Sequence, residues 1–305
     1  MSQPSPSWAV PNADPPLLDW ASAPLPPAWP DQLNFLRPAD LFRFLRRIIG
    51  GRRPVELPEG LPGRERLPAY LLKEFHHLPN GTYSKRVSNA YARWFDRVML
   101  GTMPATRRRV AGALRGCDAA LDVGCGAGDL AGALREQGTS EVWGLDACSY
   151  LLNCAARRHP NVRFVQGLVE ESGFPDERFA GIGACFLFHE LPPDAADRCL
   201  TEIHRILKPG GVLSIAEPAR EHFVMRSLRG LVKLGGWRAI YFGILGRVVY
   251  EPAVAAWHSR QLSDWFPRFG FTLEQDESRT PFRFIVARKQ PGPEQRAFER
   301  FAAES

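Results

Sequence analysis

A chain of 305 residues, 45% hydrophobic and 24% charged, is long enough to bury a sizeable core, as one large domain or a domain with an appendage. That balance excludes a disordered chain. No run of about 18 uncharged apolar residues occurs, and Met1–Asn12 has neither the basic start nor the apolar stretch of a secretory signal, so spanning and export are unsupported and the cytoplasm is expected. The net charge of +6 is local: Arg37 to Arg53 holds six arginines against Asp40, and Arg220 to Glu251 holds six basic residues against two acids. The remainder is net acidic, which points to an anionic partner, an acidic substrate or a membrane surface for those two segments, or to two solvated helix faces.

Residues 1–36 are rich in Pro and Ser and keep no helical or strand period; Trp8, Trp20 and Trp29 are expected to pin this arm to the body. From Asp40, read as an N-cap, Leu41, Phe42, Phe44, Leu45, Ile48 and Ile49 recur at helical spacing among Arg43, Arg46 and Arg47 up to Gly50-Gly51. This is a short basic amphipathic helix. Pro54–Pro68 reads as a linker, and Ala69–Leu114 as helices broken at Pro79-Asn80-Gly81. Strands are expected at Ala119–Val123, Val142–Leu145, Val162–Val165, Gly181–Phe188 and Val212–Ala216. Helices between them run to about Gln137, over Leu151–Arg158 and over Asp194–Leu207. The alternation predicts an α/β, Rossmann-like, doubly wound sheet of seven mostly parallel strands with a C-terminal antiparallel strand. Val224–Val249 then has a helical period interrupted at Gly235-Gly236 and is read as a lid. Ser259–Arg268 is a helix, and Phe271–Gln275 and Phe282–Ala287 close the sheet. The expected division is an arm with the basic helix over 1–68, a domain over 69–290 with cap helices at 69–114 and a lid at 220–256, and a tail over 291–305.

The run LDVGCGAGDL at 121–130 places Gly124, Gly126 and Gly128 where a strand turns into a helix, and the next strand ends in Asp146. Glycines let the backbone approach a ligand, and a strand-end acid is placed to accept the hydroxyls of a ribose. The spacing GxGxG differs from the GxGxxG that seats a pyrophosphate. These residues, with VWGLDAC at 142–148 and GACFLFHELPPDAADRCLTEIHRILKPGGVLSIAEP at 183–218, resemble the class I S-adenosylmethionine-dependent methyltransferases, in the branch of the ubiquinone and menaquinone C-methyltransferases and related small-molecule enzymes.

The resemblance implies S-adenosyl-L-methionine as cofactor, with Asp122 orienting the methionine ammonium. Gly124, Cys125, Gly126 and Gly128 would line the methionine and ribose, Asp146 and Ala147 would lie at the ribose, Val169 at the adenine, and Phe186 beside the site. Two departures stand out: Gly167-Leu168-Val169-Glu170 replaces the usual Gly-Asp-Ala-Glu, and Phe179-Ala180 the usual Phe-Asp. Either cofactor affinity falls or Glu170 substitutes.

Methyl transfer needs positioning more than a catalytic triad, with a base only for an acceptor that must lose a proton. His189 is the catalytic candidate, with hydrogen bonding beside the cofactor tail as its other assignment; Glu217 is a weaker one. His76, His77, Tyr83, Tyr91 and Trp94 are candidate cover residues. The six cysteines show neither a Cys-x-x-Cys pair nor Cys/His ligand spacing, so neither a disulfide framework nor a metal is expected. The implied activity is methyl transfer to a small, hydrophobic or aromatic acceptor, with Trp237, Tyr241 and Phe242 of the lid forming an apolar wall over it and both basic helices contacting a membrane periphery, on its inner surface. A cofactor-binding domain without transfer, and RNA modification, remain the alternatives. The lack of an Asp/Asn-Pro-Pro-aromatic motif disfavours nucleic acid, and the sequence leaves the oligomeric state open.

Overall fold

The computed structural model describes residues 13–49, 52–221, 228–248 and 252–291. Trp8, Gly50-Gly51, Arg226 and residues 292–305 of the expected tail lie outside them. Seven strands form one sheet: β1 (Ala119–Val123), β2 (Glu141–Asp146), β3 (Arg163–Gln166), β4 (Phe179–Cys185), β5 (Leu207–Pro218), β6 (Phe271–Arg279) and β7 (Phe282–Lys289), in the order β3-β2-β1-β4-β5-β7-β6. The first five pair in parallel, and β7 is antiparallel to both β5 and β6. All five residues of β1 are buried, as a central parallel strand covered on both faces must be. The order reverses between β1 and β4, which opens a crevice at their C-terminal ends.

One face of the sheet packs on α6 (Pro193–Ile206), α8 (Pro252–Ser259) and α9 (Leu262–Arg268) through Leu200, Ile203, Trp257, Trp265 and Phe266. The other carries α3 (Met103–Ala113), α4 (Asp129–Glu136) and α5 (Ser149–Arg158), with Val110, Leu114, Leu134 and Leu152 in the core. The N-terminal segment joins this second core. Trp20 and Leu25 are buried in it, Asn153 donates to the Trp20 carbonyl at 2.7 Å, and Tyr150 donates to that of Pro26 at 2.7 Å. Asp31 accepts the N–H groups of Lys85 and Arg86 at the start of α2 (Lys85–Val98), where a helix leaves donors unsatisfied.

Several boundaries differ from the sequence reading. α1 is Pro38–Ile49, so Asp40 lies inside its first turn and accepts the N–H of Asn34 instead of capping the helix. The Pro54–Pro68 segment is packed, with Leu61 and Leu67 buried and Pro54 bridged to Lys73. Strand β4 stops at Cys185 because Phe186 takes φ +63° and leaves the ladder. β5 begins at Leu207, directly after α6. The expected 259–268 helix begins at Leu262 as α9, and a separate helix, α8, precedes it and ends at Ser259. α7 (Leu228–Val248) continues through Gly236, which takes φ +62° within it.

Candidate functional site

A cavity of about 540 Å³ lies over the crevice, lined by Asp122, Gly124, Cys125 and Gly126 after β1, Asp146 and Ala147 after β2, Val169 and Glu170 after β3, and Phe186 and Glu190 after β4. Its roof comes from the N-terminal segment and α2, through Tyr70, Tyr83, Tyr91 and Phe95. The glycine loop divides its work by position. A Cβ on Gly126 would meet nothing within 4 Å, so its backbone is bare toward the cavity, at φ +52°. A Cβ on Gly128 would lie 2.8 Å from the Phe164 ring and 3.0 Å from Ala155. Gly128 is therefore the left-handed N-cap of α4 packed beneath the loop, and is absent from the cavity lining.

Two carboxyls face this loop. Asp146 accepts the N–H of Gly126 on one oxygen and that of Cys148 on the other, both at 2.8 Å. Burial nevertheless pushes its pKa up to about 6. Asp122 accepts the N–H of Ala131 at 2.9 Å, and burial raises its carboxyl well above the ordinary range. Desolvation of two neighbouring acids favours a ligand that brings positive charge or hydroxyl donors. Ala147 and Val169 line the same wall.

His189 is not among the lining residues. Its Nδ1 lies 2.5 Å from Glu217 Oε2, the residue is buried, and its ring meets Phe186 edge-on at 5.6 Å. Glu217, fully buried, also accepts the N–H groups of Leu187 (3.0 Å) and Phe188 (2.8 Å), so it organises the turn after β4. The pair supports the turn that carries Phe186 into the cavity, and His189 is a hydrogen-bonding partner there, not a group facing the cavity.

Three features carried no local signal in the sequence. Glu190 lines the cavity and its Oε1 lies 2.8 Å from His76 Nε2 of the cap. Burial works against its charge, but the hydrogen bond and charge of His76, with His189 nearby, outweigh it and hold the carboxyl below its usual range. Tyr70 donates to Glu170 Oε1 at 2.6 Å, while Glu170 Oε2 is buried without a hydrogen-bond partner among the described residues. Leu168 at the cavity wall has no polar side chain to offer. Arg107 of α3, buried, pairs with Asp96 (2.8 Å) and Asp129 (3.3 Å) below the loop.

Among the cover candidates, Tyr83 and Tyr91 line the cavity, Trp94 is 51% exposed, and His77 bridges two helices. The lid residues do not form one wall. Trp237 is exposed, Tyr241 donates to the Val98 carbonyl at 2.7 Å, and Phe242 is buried with Met99 and Met103, while α8 lends Ala253 and Ala256 to the cavity. Among the described residues no group of three His, Cys, Asp or Glu is placed to hold a metal.

Residues 120–211 match the family described as Methyltransferase domain. Demethylmenaquinone methyltransferase of Chlorobaculum tepidum is 36% identical over 98 residues, 32% of this chain and 40% of that protein. Fatty-acid O-methyltransferase of Mycolicibacterium smegmatis is 30% identical over 162 residues, 49% of this chain and 58% of that protein. The chain thus matches less than two thirds of the length of either relative. A solved structure described as a SAM dependent methyltransferase from Aquifex aeolicus aligns with 21% identity and a TM-score of 0.44, covering 61% of this chain and 89% of that one.

Proposed function

We propose that this chain, whose residues 120–211 place it with the class I S-adenosylmethionine-dependent methyltransferases, transfers a methyl group to a small apolar acceptor. The observation that carries the proposal is the bare Gly126 backbone between the carboxyls of buried Asp122 and half-buried Asp146, all on one cavity. When bound, S-adenosylmethionine supplies an activated methyl group on a sulfonium. Asp122 holds the ammonium of its methionine end, and the desolvation that raises the Asp122 carboxyl is relieved by that charge. Asp146 keeps its two backbone hydrogen bonds and accepts ribose hydroxyls on its remaining lone pairs. Val169 packs against the adenine. Glu170 Oε2, the orphaned acceptor, takes the exocyclic amino group and so replaces the side chain that Leu168 lacks.

For an acceptor that loses a proton on methylation, Glu190 is a lining carboxylate held ionised and oriented by His76. The apolar class of acceptor is supported by the rings of Tyr91, Phe95 and Phe186 in the lining. The names of the menaquinone and fatty-acid relatives agree with it. No described helix is long and apolar enough to cross a membrane. The proposed site of reaction is the cytoplasm, at the periphery of a membrane.

The test is incubation with methyl-labelled S-adenosylmethionine and cell extract separated into apolar and polar fractions. Label in the apolar fraction is expected. Label in neither, from protein that binds the cofactor, favours a binding domain without transfer. Glu170→Ala is expected to weaken binding of S-adenosylhomocysteine by about 1.5–3 kcal/mol, roughly ten- to 150-fold, the scale of a hydrogen bond to a charged group. Calorimetry with the inosine analogue, which lacks the amino group, checks the assignment: its affinity is expected to change little. An equal loss for both ligands would show that Glu170 acts only through the wall it builds with Tyr70.

A further inference from the structure

Helix α1 is turned the opposite way from an ordinary surface helix. It has no buried residue. At about 100° per residue, Leu41, Phe42, Leu45 and Ile49 fall within one arc of roughly 100°, and they are 41%, 68%, 45% and 82% exposed. The arginines on the other side are taken up by the protein. The guanidinium groups of Arg43 and Arg47 lie 5.2 and 4.9 Å from the centre of the Trp29 ring, and Arg47 also pairs with the buried Glu74 at 2.6 Å. The apolar stripe therefore faces outward.

A second stripe runs along α7, where Trp237, Ile244 and Val248 share one face and are 64%, 55% and 56% exposed, while Ala239 and Phe242 are buried on the other. The two stripes meet. His77 contacts the carbonyl of Ile48 through Nδ1 at 3.0 Å and that of Val248 through Nε2 at 2.7 Å, next to Ile49 and at the last turn of each helix. Carbonyls only accept, so both contacts are hydrogen bonds when the ring carries both protons.

We propose that α1 and α7, joined by His77, form one surface that inserts its apolar stripes into an anionic bilayer. Charge selects this occupant. The segments that contain the two helices hold the chain's excess of arginine and lysine, with Arg46 and Arg238 exposed beside the stripes. A second copy of the chain would set like charge against like, whereas an anionic lipid surface attracts the basic residues. The proposal deepens the reading of an apolar acceptor and rests on it only for the direction from which the acceptor arrives.

The experiment is co-sedimentation of the full chain with phosphatidylglycerol-containing vesicles at low salt, beside pure phosphatidylcholine vesicles. The unaltered chain is expected to pellet with the anionic vesicles and to be released by salt. A Phe42→Asp, Ile49→Asp variant is expected to lose at least about tenfold in partitioning, since two large side chains leave the lipid, with circular dichroism and cofactor binding unchanged. Failure of the unaltered chain to pellet, or equal pelleting of the variant, overturns the proposal. So does a dimer on gel filtration that the variant converts to monomer without change in vesicle binding. None of these outcomes depends on methyl transfer, so the enzymatic reading stands or falls separately.

Discussion

Glu217→Ala is expected to lower the free energy of unfolding by about 3–5 kcal/mol, the scale for removing one partner from a buried charged network. The carboxylate is fully buried at the end of β5 and accepts the N–H groups of Leu187 and Phe188 while holding His189 at 2.5 Å. Without it those donors have no water to turn to. The turn also keeps Phe186 at φ +63°, an unfavourable conformation for an aromatic residue that persists only where surrounding contacts fix it. Cofactor affinity is therefore expected to fall together with stability. Glu217→Gln, which retains one accepting oxygen, should lose less. Denaturant titration of the three proteins checks the order, and a loss below about 1 kcal/mol for the alanine variant would remove Glu217 from the account.

Asp146→Ala is expected to weaken cofactor binding by about 1.5–3 kcal/mol, roughly ten- to 150-fold, through loss of charge-assisted hydrogen bonds. A pH dependence accompanies it. Burial lifts the Asp146 carboxyl from 3.8 to about 6, so the folded chain holds this proton more tightly than the unfolded one. The stability that follows from the protonated form is full below about pH 4 and is lost as pH rises through about 6. Binding has the opposite sign, because ribose hydroxyls donate to the ionised carboxylate. Affinity is expected to climb as pH rises toward 6, and ionisation of Asp122, whose carboxyl burial also raises, adds to the climb. Asp146→Asn should flatten the acid limb. Calorimetric titrations between pH 5 and 8 read this directly, and an unchanged slope in the asparagine variant would contradict the assignment.

The part of the site that was legible lies within single strand-to-turn junctions. Leu121–Gly128 signals itself because an apolar run gives way to three glycines and then to helical spacing, and Asp146 because it ends the next such run. The end of β4 was not legible. Phe186, Leu187 and Phe188 continue an apolar run, and only the contact with Glu217, some 30 residues on, turns them out of the strand. The Tyr70–Glu170 and His76–Glu190 pairs join residues 100 and 114 positions apart, which no local period reports. For α1 the period gave the helix but not its orientation, which Trp29 and Glu74 decide by competing for the arginines. The pinning of the arm by Trp20 was readable from composition, because a large aromatic left in solvent has little physical use.

The most direct measurement of the central claim is isothermal titration of the folded 305-residue chain with S-adenosylmethionine. Saturable binding of one ligand per chain, weakened by about ten- to 150-fold in Asp146→Ala, is the predicted result. Absence of any binding heat at millimolar ligand, from protein whose circular dichroism confirms the fold, would contradict it.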